Sequence, residues 1–221
     1  MIKAVIFDMD GTLIDTEKHL VRCWCAAASE FGYPMKREDA FEIRSLAAKF
    51  AEPHLKAKFG EDFDYHKVRN RRKEMMSQIL EANGIEKKKG ADELLDFLRK
   101  SGIKTAVATA TDEVRAKKYL TEIGLYDKFD QVISATMVEN GKPKPDIYKY
   151  ACEQIQETPK NCIAVEDAPN GIRSAIDAGL RTIMVPDLTQ PTEEMQQELL
   201  AVADSLLDVI DIIKNYQRVQ K

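Results

Sequence analysis

No apolar run in this 221-residue chain approaches the ~18 residues of a membrane-spanning helix. The N-terminus is not built like an export signal either: its apolar stretch, residues 4–7, is short, and acids follow at once. Cysteines are few. The four present (Cys23, Cys25, Cys152, Cys162) include no CxxC pair. A chain of this length does not need disulfide staples, so they read as reduced thiols, and the expected location is the cytoplasm. An excess of charge of one sign is also missing. The net charge of -4 is spread over mixed signs, so the basic footprint of a nucleic-acid binder is lacking. There is no internal repeat and no low-complexity segment. Hydrophobic residues, at 44%, suffice for a core. The length suits one large domain or a core with an insert, for which a monomer is the default.

What is present is an alternation of short apolar runs and helical patterns. Strands are predicted at 4–7, 105–108, 131–134, 162–166 and 182–185. They are continuous apolar runs, the signature of a parallel sheet covered on both faces. Helices are predicted between them at 113–123, 145–156 and 171–178, with Gly124 and Gly179 placed as C-cap residues. This rhythm predicts an α/β fold with a Rossmann-like, doubly wound parallel sheet. One stretch departs from it. From residue 16 to 88 only helical patterns appear, at 18–31, 40–59 and 65–83. The expectation is an inserted all-α domain at 16–88, with the core made of 1–15 and 89–221. The linkers near 14–18 and 84–90 are candidate hinges, although Gly84 and Gly90 serve equally as helix terminators. The basic run KVRNRRKE at 67–74 reads first as a solvated helix face, and second as an attractor for an anionic substrate. The amphipathic stretch 192–216 is expected to close over the sheet, with an interaction surface as the alternative.

The strand tips carry the chemistry. In KAVIFDMDGTLIDTE an apolar strand ends in Asp8 and Asp10, two apart and so on one side of the chain. Two carboxylates this close favour a hard cation such as Mg²⁺ between them, while a turn or helix cap is the plainer alternative. The strand at 105–108 ends in Thr109, Ala110 and Thr111, a hydroxyl and free N–H groups ahead of a helix, which suits an anion. Thr111 also suits an N-cap. GKPKPD at 141–146 holds Lys142 on a proline-stiffened loop, either as a phosphate partner or as plain surface. The strand at 162–166 delivers Glu166 and Asp167. Ligands of open α/β sheets bind beyond the carboxyl ends of the strands, and every one of these residues lies there. Together they fit Mg²⁺-assisted phosphoryl transfer.

In this order and spacing, DMDGT, Thr109, GKPKPD and Glu166-Asp167 resemble the four motifs of the haloacid dehalogenase superfamily, in its phosphatase and phosphomutase branch. The helical insert resembles that family's α-helical cap. GKPKPD and EDAPNGIRSAIDAG are similar to the subfamily of β-phosphoglucomutase and sugar-phosphate phosphatases. The resemblance implies Asp8 as nucleophile, forming an aspartyl-phosphate, and Asp10 as acid and then base. It implies Thr109, the N–H groups around Ala110, and Lys142 as phosphoryl holders. Mg²⁺ would be held by Asp8, the backbone carbonyl of Asp10 and Asp167, with Glu166 supporting it. The substrate implied is a small phosphorylated metabolite, with no nucleic acid and no membrane as partner.

The same resemblance leaves hydrolase and mutase both open. Thr16 and Trp24 fall where mutase-like chains carry similar residues, but IRSLAAKFAEPHL at 43–55 lacks the glycine of the mutases' sugar-phosphate loop. His19 stands near, but not clearly at, the position of a mutase histidine. A hydrolase is therefore favoured. The presence of both Asp8 and Asp10 disfavours a dehalogenase and a merely phosphate-binding homologue.

Overall fold

The computed structural model describes residues 1–219. Six strands form one all-parallel sheet: β1 (Ala4–Phe7), β2 (Lys104–Thr109), β3 (Gln131–Ser134), β4 (Cys162–Glu166), β5 (Arg181–Met184) and β6 (Ala201–Val202), in the order β3-β2-β1-β4-β5-β6. The helices are α1 (Glu17–Glu30), α2 (Arg37–Glu42), α3 (Ala48–Phe59), α4 (Tyr65–Asn83), α5 (Ala91–Lys100), α6 (Glu113–Glu122), α7 (Asp146–Gln154), α8 (Pro169–Asp177), α9 (Glu193–Glu198) and α10 (Leu206–Val219). No helix among them is long and apolar enough to cross a membrane.

The continuous apolar strands serve two faces. Val5 and Phe7 of β1 join Val107, Ile163 and Val165 in one core cluster under α5, α6 and α10. Ala4 and Ile6 join Ala106, Ala108, Cys162 and Ala164 in the other, beneath α7 and α8. β1 lies between β2 and β4, where the order of crossovers reverses, so its tip opens into the crevice of the sheet.

Between β1 and α5 every named element is a helix, and residues from Val21 to Val68 form an apolar cluster of their own. The helix expected over 40–59 is two helices. It breaks between Glu42 and Ala48, with Ser45 at φ 58. The break docks on the sheet side: Asn170 Nδ2 donates to the carbonyls of Glu42 (3.1 Å) and Arg44 (2.9 Å), and Ala47 N–H donates to the carbonyl of Lys142 (2.9 Å). These bonds outweigh the modest helical propensity of the segment. The stretch 192–216 packs on the core through Leu206, Val209 and Ile213, but it also contains β6, which the pattern did not predict. Gly90 caps α5 at φ +92 with a Cβ position 2.6 Å from the Leu207 nitrogen, so it serves the close approach of α10 to α5.

Candidate active site

β1 ends at Phe7, and Asp8 N–H donates to the Val165 carbonyl (2.9 Å). That bond sets Asp8 beside Glu166 and Asp167 at the end of β4. The carboxylates of Asp8, Glu166 and Asp167 are all buried, and one oxygen of each lies within 4.8 Å of the others. Lys142 is buried as well, not at the surface. Its ammonium donates to Asp8 Oδ1 and to Glu166 Oε1 (2.6 Å). The Tyr148 hydroxyl, from the first turn of α7, donates to the same Glu166 oxygen (2.5 Å). Glu166 therefore fixes Lys142 from below while Lys142 reaches Asp8.

Asp10 is turned away from this cluster. Its oxygens accept from the hydroxyls of Thr16 (2.6 Å) and Thr111 (2.7 Å). Only its backbone carbonyl is left for the metal role that the resemblance implies, and its side chain is a separately oriented acid. Thr109, the last residue of β2, is buried, and its hydroxyl accepts the Thr111 N–H (3.0 Å). Thr109, Ala110 and Thr111 line the same cleft as Asp8 and Asp10. Thr111 is not the N-cap of α6: Asp112 is, accepting from Arg115 N–H (3.2 Å).

Of the residues that the helical segment contributes, sequence reasoning singled out Trp24 and the basic run holding Arg69 and Arg72, but missed Arg44 and Glu17. Arg44, in the break between α2 and α3, donates to Asp167 and, from Nε, to Glu17 (3.1 Å). Glu17, Trp24, Arg44, Arg69 and Arg72 all line the cleft; the lining includes Leu20 but not His19. The signal available for Arg44 was its place as the one charge between Glu42 and Lys49, in IRSLAA.

Charge in the site is unbalanced. Five buried carboxylates (Asp8, Asp10, Glu17, Glu166, Asp167) have only two buried cations, Lys142 and Arg44, paired among them. Burial, reinforced by the neighbouring acids, holds the Asp8 and Asp167 carboxyls well above the usual range despite Lys142 and Arg44. Burial likewise pushes Glu17 up to about 8, with Arg44 opposing and Asp10 adding to it. Asp8 Oδ2 and Glu166 Oε2 are buried with no hydrogen-bond partner. A cluster short of positive charge, with Glu166 Oε2 orphaned and an all-oxygen donor set, fits a hard divalent cation. Gly11 belongs to this cradle. At φ +91, a Cβ there would sit 2.3 Å from Asp167 Oδ2.

Residues 2–179 match the family model of haloacid dehalogenase-like hydrolases.

The chain belongs to the haloacid dehalogenase-like hydrolases.

It is 30% identical to the phosphorylated carbohydrates phosphatase of Thermotoga maritima over 82% of this chain and 84% of that one. It is 27% identical to the β-phosphoglucomutase of Bacillus subtilis over 83% of each chain. The crystal structure of CbbY from Rhodobacter sphaeroides in complex with phosphate superposes with a TM-score of 0.78 at 26% identity, covering 93% of this chain and 95% of that one. This haloacid dehalogenase-like hydrolase is thus an enzyme of the phosphomonoester-cleaving kind, with sugar-phosphate phosphatases and a phosphomutase among its relatives.

Proposed function

We propose that the protein is a Mg²⁺-dependent phosphatase of a small phosphorylated metabolite, a sugar phosphate by analogy with its relatives, and that it acts through an aspartyl-phosphate on Asp8. The observation that carries this reading is the state of the Asp8 carboxylate. Lys142 holds Oδ1, while Oδ2 is buried without a partner in a residue that lines the cleft. One oxygen is fixed and the other is left to attack.

In this reading Asp8 Oδ2 forms a bond to phosphorus as the bond from phosphorus to the leaving oxygen breaks. Asp10, oriented by Thr16 and Thr111, gives that oxygen its proton. Asp10 then takes a proton from water, whose oxygen attacks the aspartyl-phosphate and frees Asp8 and phosphate. Thr109, the N–H groups around Ala110, and Lys142 hold the phosphoryl oxygens. Mg²⁺ would be held by Asp8, Asp167 and the Asp10 carbonyl, with Glu166 behind. It would offset charge on the phosphoryl group. Residues 16–88 serve as a cap over a core of 1–15 and 89–221, and the cytoplasm suits the unbridged thiols. Among the described residues no histidine lines the cleft, which supports the hydrolase over the mutase.

The test is phosphate release, with Mg²⁺, from p-nitrophenyl phosphate and a panel of sugar monophosphates, with Asp8→Asn as the blank. Release that requires Asp8 is expected. Release undiminished in Asp8→Asn would refute the covalent step. Conversion of β-glucose 1-phosphate with a bisphosphate primer, without net release, would make the protein a mutase.

A further inference from the structure

The chemistry above makes no use of the basic run at 67–74. Arg69 and Arg72 stand three apart on α4, hence on one helical face, and both line the cleft that holds Asp8 and Thr109. Arg72 is only 8% exposed. Its guanidinium lies over the Trp24 ring, 5.1 Å from the centroid, and its Nε has no hydrogen-bond partner. Their neighbours are matched: Arg115 and Lys73 share the Asp112 carboxylate, at 2.7 and 3.8 Å. Among the described residues, neither Arg69 nor Arg72 has an ion pair of its own.

The acids across the cleft do not supply one. Asp8 is held by Lys142, Asp167 and Glu17 by Arg44, and Asp10 by two threonine hydroxyls. The wall is short of negative charge to a degree that its ionisation registers. Burial first, then the nearby Arg115 and Arg69, push the Arg72 guanidinium down to about 10. Burial and the three arginines push Lys73 down to about 8. A buried, flat, stacked guanidinium with open donors is built for an oxyanion, and the cleft that it lines is where substrate enters.

We propose that Arg69 and Arg72 form a second oxyanion subsite, so that the preferred substrate is a phosphomonoester with a further phosphate or carboxylate at the end remote from the scissile group. This rests on the reading of Asp8 as the attacking group. Trp24 covers Arg72 on one side, which restricts the guanidinium and pre-organises the subsite.

The experiment compares kcat/KM of the full-length, Mg²⁺-loaded protein on a hexose 6-phosphate, the hexose 1,6-bisphosphate and the 6-phosphoaldonate. At least a tenfold preference for an anionic tail over the neutral one is expected, and the two anionic arms tell a phosphate from a carboxylate. Arg72→Gln and Arg69→Gln should each cut that preference at least tenfold, chiefly through KM, and Arg72→Lys should restore part of it. If Arg72→Gln does not fold, the half-buried Arg69 carries the test through Arg69→Gln. Equal kcat/KM for neutral and anionic tails, or a preference untouched by Arg69→Gln, would overturn the subsite. Absence of release from every substrate, p-nitrophenyl phosphate included, would count instead against the phosphatase reading. The subsite is then tested alone, by calorimetric binding of the hexose bisphosphate to Asp8→Asn protein. Binding weakened by adding Arg69→Gln supports it, and unchanged binding refutes it.

Discussion

Arg44 donates to the carboxylate of Asp167, and the two side chains are 2% and 0% exposed. Arg44 comes from the break between α2 and α3, Asp167 from the tip of β4. Through its Nε the same guanidinium also holds Glu17. One side chain of the helical segment thus pairs with two buried acids of the site.

Arg44→Ala should therefore be costly. It leaves Asp167 and Glu17 buried without a counterion, a loss of about 3–5 kcal/mol. Mg²⁺ should recover part of that loss, because a cation at Asp167 restores the charge balance. Denaturant unfolding with EDTA and with Mg²⁺ measures both. The same loss in the two buffers would mean that Arg44 contributes by packing alone.

Thr111→Val keeps the shape of the side chain and removes the donor 2.7 Å from Asp10 Oδ2. With Asp10 held only by Thr16, kcat should fall roughly ten- to a hundredfold, a part of what general acid catalysis supplies. Steady-state kinetics on p-nitrophenyl phosphate read it. A kcat equal to that of the wild type would show that Thr16 alone orients the acid.

Gly11→Ala is expected to weaken Mg²⁺ binding by more than about tenfold. The residue sits at φ +91, where a side chain costs about 1–2 kcal/mol. Its methyl group would also meet Asp167 Oδ2 at 2.3 Å, displacing a carboxylate of the proposed metal site. Titration calorimetry with MgCl₂ would show it, and an unchanged affinity would argue against Asp167 as a ligand.

Asp15 offers a prediction in pH. Burial pushes its carboxyl up, but hydrogen bonds from Lys18 (2.5 Å) and Lys88 (3.2 Å) outweigh burial and hold it below the usual range. Its stabilising contribution is complete above the ordinary aspartate value of about 3.9 and is lost as pH falls through the lower, folded value. The side chain is a quarter exposed, so the effect is modest, under about 1 kcal/mol. Asp15→Asn should flatten the acid limb of the stability curve below about pH 4, as followed by thermal melts. An acid limb as steep as that of the wild type would assign acid sensitivity to other carboxylates.

Much of the framework is local and so was legible. β1, β3 and β4 have the bounds read from their apolar runs, because a strand buried on both faces must be apolar throughout. α4 spans Tyr65–Asn83 as its pattern and its terminal glycine require. Asp8, Glu166 and Asp167 meet because β4 lies beside β1, an adjacency that the βαβ rhythm alone does not specify. β6 was not legible. Its two residues have no pattern of their own and are strand only because β5 offers them an edge to pair with.

The sequence by itself determined the sheet, the helical insert and the acids at the strand tips, since period and propensity act over a few residues. Only the tertiary structure decided what those acids face. The break that frees Arg44 depends on Asn170 and Lys142, far along the chain, and the bond from Arg44 to Asp167 spans 123 positions. Lys142 reads as either a phosphate partner or a surface lysine until burial between Asp8 and Glu166 makes it a counterion of the site. Arg72 reads as one charge in a basic run until Trp24 covers it. Burial and charge pairing act through space, and no local pattern records them.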